Sequence, residues 1–67
     1  MGKWSTRNDN RRRLAQAANL IDNSIAHLVV IHNSYPDEYE QHREVMRVYS
    51  VALDELKQEI LSYRSHL

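Results

Sequence analysis

The chain has no cysteine and few of the residues that interrupt helices. Its 67 residues include no phenylalanine, one glycine and one proline. The absence of cysteine excludes disulfides, iron–sulfur clusters and thiolate zinc sites. The scarcity of glycine and proline argues against sheets with their tight turns, and predicts helix through nearly the whole chain.

Long apolar runs are also absent. The longest uninterrupted one is the four-residue stretch from Leu28 to Ile31, whereas a membrane-spanning helix needs about 20 apolar residues. The basic run at Arg11–Arg13 is followed by a broken, asparagine-rich stretch, which is not the layout of a signal peptide. We therefore expect a soluble, cytoplasmic protein.

No residue pattern points to a reaction. The chain contains no glycine-rich phosphate loop, no GxSxG turn and no HExxH pair. A metal held between His27 and His42, with Glu38 or Asp22 as a further ligand, is conceivable, but separate surface histidines are the more common arrangement. We predict a non-enzymatic protein with no catalytic residue, no cofactor and no metal.

Two stripes of large side chains are present, separated by a break around Pro36. Members of each stripe are alternately three and four residues apart, the spacing of residues on one side of a helix that packs along another helix. The first stripe contains Leu14, Ala18, Ile21, Ile25, Leu28 and His32. The second contains Tyr35, Tyr39, His42, Met46, Tyr49, Leu53, Leu56, Ile60, Tyr63 and Leu67.

These stripes predict an all-α fold, an antiparallel two-helix hairpin. We expect an N-terminal arm over residues 1–6 and the hairpin over 7–67, with helices at about 7–33 and 36–66 and a turn at 33–36. Pro36 suits the first position of the second helix, where its missing N–H is not needed. With this turn, residue n would lie opposite residue 69−n.

The charge distribution favours the same hairpin. The net charge is zero, but residues 1–33 carry about +3 and residues 34–67 about −3. In the predicted register the Arg11–Arg13 cluster lies beside Asp54, Glu55 and Glu59. Each exposed pair contributes only about 0.2–1 kcal/mol, so these charges select the antiparallel arrangement more than they stabilise it.

A hairpin of this size cannot bury all its apolar residues. A domain this small hides only about 60% of the surface of its unfolded chain, and small proteins often compensate by oligomerising. We therefore predict a protein-binding module: an adaptor, an inhibitor of the kind phages encode, or a minor subunit of a larger complex. It would pair with itself as a four-helix bundle or dock on a larger protein. The expected interface residues are Trp4, Val29, Val30, Val45, Val48, Tyr63 and Leu67.

Two alternatives remain open. The chain could bind RNA or DNA through its basic N-terminal residues, since cationic side chains neutralise backbone phosphates. It could instead be a membrane-peripheral protein that is N-myristoylated at Gly2, because Gly2 followed by Thr6 fits the acylation pattern. The residues for nucleic-acid binding would be Lys3, Arg7, Arg11, Arg12 and Arg13.

One short segment resembles a known family. Ser50, Leu53, Asp54 and Leu56 resemble the Ser-Gln-Glu-Leu-Asp signature of the sporulation phosphatases that are also short helical hairpins. Val51 stands where that signature has glutamine, and the first helix lacks the family's usual motif. We do not transfer phosphatase activity to this chain; if that role applied, Asp54 would be the residue concerned.

Overall fold

The fold is a two-helix hairpin, as predicted. The computed structural model describes the backbone of residues 3–67 and the side chains of residues 6–67. Helix α1 (Lys3–Ser34) and helix α2 (Glu40–Ser65) pack against each other in antiparallel orientation. The Cα atoms extend over 57 × 15 × 10 Å. Three predicted site residues lie outside this description: Gly2 entirely, and Lys3 and Trp4 in their side chains.

The N-terminal boundary differs from the expectation. Residues 3–6 were expected to form an arm, but they are the first residues of α1, which begins at Lys3 instead of residue 7. No glycine or proline occurs between residues 3 and 34, so nothing in the sequence interrupts the helix there.

The turn lies later than predicted. It covers residues 35–39, and its backbone is closed by the Tyr39 N–H, which donates to the Pro36 carbonyl at 2.9 Å. Pro36 therefore lies in the turn and does not begin α2. The Arg43 guanidinium holds the turn in place, since its Nη1 lies 2.9 Å from the Tyr35 carbonyl oxygen and 3.2 Å from Asp37 Oδ1.

The later turn shifts the register of the helices. Side-chain bonds link Arg11 with Arg64, Asp22 with Lys57, and His32 with Arg47, so paired residue numbers add up to between 75 and 79 rather than to 69. The residue opposite a given position of α1 therefore lies six to ten positions further along α2 than expected, which is about two to three helical turns.

The new register overturns the predicted pairing of the basic cluster. The Arg11–Arg13 cluster does not face Asp54, Glu55 and Glu59, because Arg64 lies there instead. Arg11 and Arg64 each donate a hydrogen bond to the backbone carbonyl of the other, both at 2.8 Å. Tyr63 and Leu67, both predicted as interface residues, line a shallow depression together with Asn10, Arg13, Leu14 and Ala17.

The stripe predicted for α1 is confirmed as the seam that faces α2. Ala18 is only 4% exposed and is the single buried residue among those whose side chains are described. Its small side chain is enclosed between the two helices. The other five members are half-buried: Leu14, Ile21, Ile25, Leu28 and His32.

The stripe predicted for α2 is only half right. Met46, Leu53 and Ile60 are half-buried as expected, and so is Leu67 just beyond the helix. At the four other predicted positions of α2 the side chain is exposed, and the residue that follows each of them is half-buried instead. Arg43, Ser50, Lys57 and Arg64 thus take the places expected for His42, Tyr49, Leu56 and Tyr63.

These four polar residues fit the seam because each satisfies its polar atoms. Lys57 and Arg43 bury their aliphatic stems, with side chains 19% and 23% exposed, while their charged ends reach an acid. Ser50 Oγ donates to the Met46 carbonyl within its own helix at 2.8 Å. A polar residue can therefore lie between two apolar helices without leaving an unpaired group.

Candidate protein-binding face

One face of the hairpin is apolar and exposed. Six large apolar side chains on it are each at least 40% exposed. We call it the tyrosine face. Its members are Leu20 and Ile31 on α1, and Val45, Tyr49, Leu56 and Tyr63 on α2.

The tyrosine face is a second packing stripe on each helix. Every one of its members directly precedes a seam residue, as Leu20 precedes Ile21 and Leu56 precedes Lys57. A step of one residue is about 100° around a helix, so each helix has two stripes at nearly a right angle. Because the helices are antiparallel, the two second stripes lie on the same side of the hairpin. The spacing is completed on α1 by Ala17, Ser24 and His27, and on α2 by Ala52 and Glu59.

The opposite side of the hairpin is more polar. Lys57 Nζ lies 2.9 Å from Asp22 Oδ1 and 3.9 Å from Asp54 Oδ1. The hydrogen bond that Lys57 donates to Asp22 raises the pKa of the lysine above its ordinary value, against partial desolvation, so the amine is charged at neutral pH. Charged pairs occupy this side, whereas the stripes of the tyrosine face contain two charged residues, Arg13 and Glu59.

The hairpin exposes more surface than a compact protein of its mass. Its accessible surface is 5436 Å², and a compact 8.0 kDa monomer has about 4,500 Å². The excess, roughly 900 Å², is close to the 800 Å² that each partner contributes to a typical protein interface. All of α2 is described, and none of its residues is buried. The hairpin alone therefore has very little core.

The two ends of the hairpin differ in charge. The open end, where α1 begins and α2 ends, has six basic residues and one acid: Lys3, Arg7, Arg11, Arg12, Arg13 and Arg64, with Asp9. The turn end has four acids and two basic residues: Asp37, Glu38, Glu40 and Glu44, with Arg43 and Arg47. Arg64 joins the basic cluster only through the fold, since it is 51 positions from Arg13 in the sequence.

The residues predicted as an interface are not all on one surface. Val45 and Tyr63 belong to the tyrosine face, and Leu67 is half-buried beside it. Val29 borders a groove on the more polar side, with Met46 and Val51. Val30 and Val48 point away from the seam and are exposed. Sequence reasoning assigned Tyr49 and Leu56 to the intramolecular seam and left out Leu20 and Ile31. All four residues directly precede a seam residue, and this position is the feature of the sequence that indicates the exposed face.

The histidines and Asp54 are not gathered into a chemical site. The His42 ring stacks on Tyr35 with centroids 4.9 Å apart. His32 lies 3.0 Å from the Asn33 side chain and 3.3 Å from Arg47. Within residues 6–67, no three potential ligand side chains come close enough to hold a metal ion. Asp54 is exposed and lies near Lys57.

Helix α1 meets the length and hydropathy of a membrane span. An 18-residue window within Thr6–Ser34 has a mean hydropathy of 1.2 and is mostly unburied, which differs from the expectation drawn from the short apolar runs. However, Asn19, Asp22 and Asn23 lie near the middle of the apolar part of α1, and an aspartate at a bilayer centre costs about 2.5–3.5 kcal/mol. We therefore keep an aqueous, cytoplasmic location as a proposal.

No protein-family model matches the chain, and neither a curated protein nor a solved structure is similar to it.

Proposed function

We propose that this chain is a small, non-enzymatic protein-binding module that acts through helix–helix packing on the tyrosine face. It would serve as an adaptor, an inhibitor or a minor subunit of a larger assembly. The observation that carries the proposal is the second stripe on each helix, with six large apolar side chains left exposed. Apolar patches of this kind on a soluble protein are typical of protein interaction sites.

The spacing of the stripe supports a helical partner in particular. Positions alternately three and four residues apart accept the side chains of a neighbouring helix as knobs into holes. Tyrosine is enriched in such interfaces because its ring is apolar and its hydroxyl can bond to water or to the partner. Tyr49 and Tyr63 both lie on this face and are exposed.

A photo-crosslinking amino acid at Tyr49 tests the proposal. With p-benzoylphenylalanine in place of Tyr49, irradiation of the chain in its own host should give a discrete protein adduct on a denaturing gel. The same substitution at Glu55, which is exposed on the outer side of α2, is the matched control and should give little or none. Equal labelling at both positions, or none at either, would contradict the proposal.

Binding of nucleic acid is a second candidate function, favoured by one observation. The register brings Arg64 to the Arg11–Arg13 cluster in place of the acids of α2, so the open end has a concentrated positive charge. Such a patch is suited to phosphate backbones. This candidate stays below the first because the net charge of zero gives no long-range attraction to a polyanion.

Fluorescence anisotropy with labelled RNA and DNA tests this second candidate. If it is right, affinity falls steeply with salt, and changing Arg12 and Arg13 together to alanine weakens it about tenfold or more. Arg47→Ala, an exposed arginine at the opposite end, should have little effect. Equal losses in both variants, or no binding at 50 mM salt, would dismiss this function.

A further inference from the structure

The tyrosine face has the shape of an interface between two copies of this chain. We infer that a second copy covers it, oriented so that the two turns lie at opposite ends of a four-helix bundle. The inference rests on the proposed function, because it names the partner of the same face.

The geometry of the stripes requires a partner with two helices. In a four-helix bundle each helix contacts two neighbours that lie at about a right angle as seen along the bundle. Both α1 and α2 have stripes at this angle, one used within the chain and one exposed. A partner must therefore present two antiparallel helices, each about 40–48 Å long if it is to match α2 and α1. A second copy of the chain meets this requirement.

The surface area and composition agree with self-association. Each chain has roughly 900 Å² more surface than a compact monomer, which is the amount that one partner loses in a stable interface. The face is mostly apolar, and its stripes have one positive and one negative residue, Arg13 and Glu59. It therefore needs no partner of opposite net charge. A two-fold interface, in which one patch meets its own copy, suits such a surface.

The charges at the ends decide the orientation. If both turns lay at the same end, the six basic residues of one open end would meet the six of the other. With the turns at opposite ends, each basic open end lies beside the partner's turn, where Asp37, Glu38, Glu40 and Glu44 outnumber the basic residues. Like charges placed together oppose association, and complementary ones fix the relative orientation.

Leu20 and Leu56 lie near the centre of this interface. Leu20 is midway between Lys3 and Asp37, so full overlap of two hairpins with opposite ends places the two-fold axis close to it. The observed register puts Leu56 at the same level on α2. In this arrangement α1 packs against α1 of the partner, and α2 against α2.

Sedimentation equilibrium of a matched pair of variants tests the dimer. Leu20 and Val30 are both on α1 and are 65% and 66% exposed, but Val30 is on the outer side. The unchanged chain should be a dimer, Leu20→Asp should raise the dissociation constant about 30-fold or more, as for a central interface residue, and Val30→Asp should leave it unchanged. A monomeric wild type at 100 µM, or loss of the dimer through Val30→Asp alone, would overturn the inference.

Engineered cysteines test the orientation, and they do not depend on whether Leu20→Asp still folds. The chain has no native cysteine, so single replacements give clean disulfide-linked dimers on oxidation. Leu20→Cys, at the proposed axis, should cross-link, and Glu38→Cys at the turn should not. Cross-linking of Glu38→Cys without Leu20→Cys would show turns at the same end, and would refute this arrangement.

The crosslinking experiment at Tyr49 separates failure of this inference from failure of the proposed function. An adduct of twice the mass of the chain supports both. An adduct of any other mass keeps the protein-binding function, but shows that the partner is a different protein. No adduct at Tyr49 contradicts both.

Discussion

Replacing Ala18 with glutamate is expected to unfold the hairpin. Ala18 is the single buried residue among the described side chains, and a longer, charged side chain there would push the helices apart and place a carboxylate between them. Such a change costs about 3 kcal/mol or more. A 67-residue protein has only about 3–10 kcal/mol of stability in total. Far-UV circular dichroism and the urea midpoint would measure the loss.

The matched control for this variant is Ala26→Glu. It is the same substitution in the same helix, but Ala26 is exposed, so the expected change in stability is within about 0.5 kcal/mol. If the two variants unfold at the same urea concentration, Ala18 is not enclosed between the helices and the packing described here is wrong.

Leu53→Asp and Leu56→Asp should have different effects although they are three positions apart. Leu53 is half-buried in the seam, whereas Leu56 is 47% exposed on the tyrosine face. A charge at Leu53 disrupts the packing of α1 on α2 and should cost several kcal/mol, which removes most of the helical signal. The same charge at Leu56 should leave a helical chain that no longer associates.

Circular dichroism combined with sedimentation distinguishes these outcomes. The stripe predicted from the sequence places both leucines in the seam, so it expects both variants to unfold. Unfolding of Leu53→Asp with retention of helix in Leu56→Asp would support the structure. A well-folded Leu53→Asp would mean that the hairpin seam has been assigned to the wrong stripe.

The displaced stripe on α2 shows where reasoning from the sequence stopped. Large apolar residues occur on two adjacent stripes of α2. The predicted stripe follows the largest side chains, so it alternates between residues of the seam and residues of the exposed stripe. It leaves out Ser50 and Lys57 because they are polar. They fit there because the serine hydroxyl and the lysine amine find bonding partners nearby. The partner of Ser50 is in its own helix, but the partner of Lys57 depends on which residues of α1 are opposite, and periodicity does not contain this information.

The register was missed for a related reason. The sequence shows a break between two helices, but the exact turn depends on the Tyr39 to Pro36 hydrogen bond and on Arg43, which holds Tyr35 and Asp37. Moving the turn by two or three residues shifts all pairs across the helices. The register predicted from the sequence therefore gives the basic residues the wrong neighbours and does not show the concentration of positive charge at the open end.

The amino-acid sequence by itself determined that the chain is two helices folded into a hairpin, because it has almost no glycine or proline and shows apolar spacing of three and four residues. It also determined the α1 seam, because only this stripe of α1 is apolar along most of its length. Only the tertiary structure decided the register, the α2 seam and the face left exposed. These depend on contacts between residues far apart in the chain, where a buried lysine stem or a closed turn changes which side of a helix faces inward.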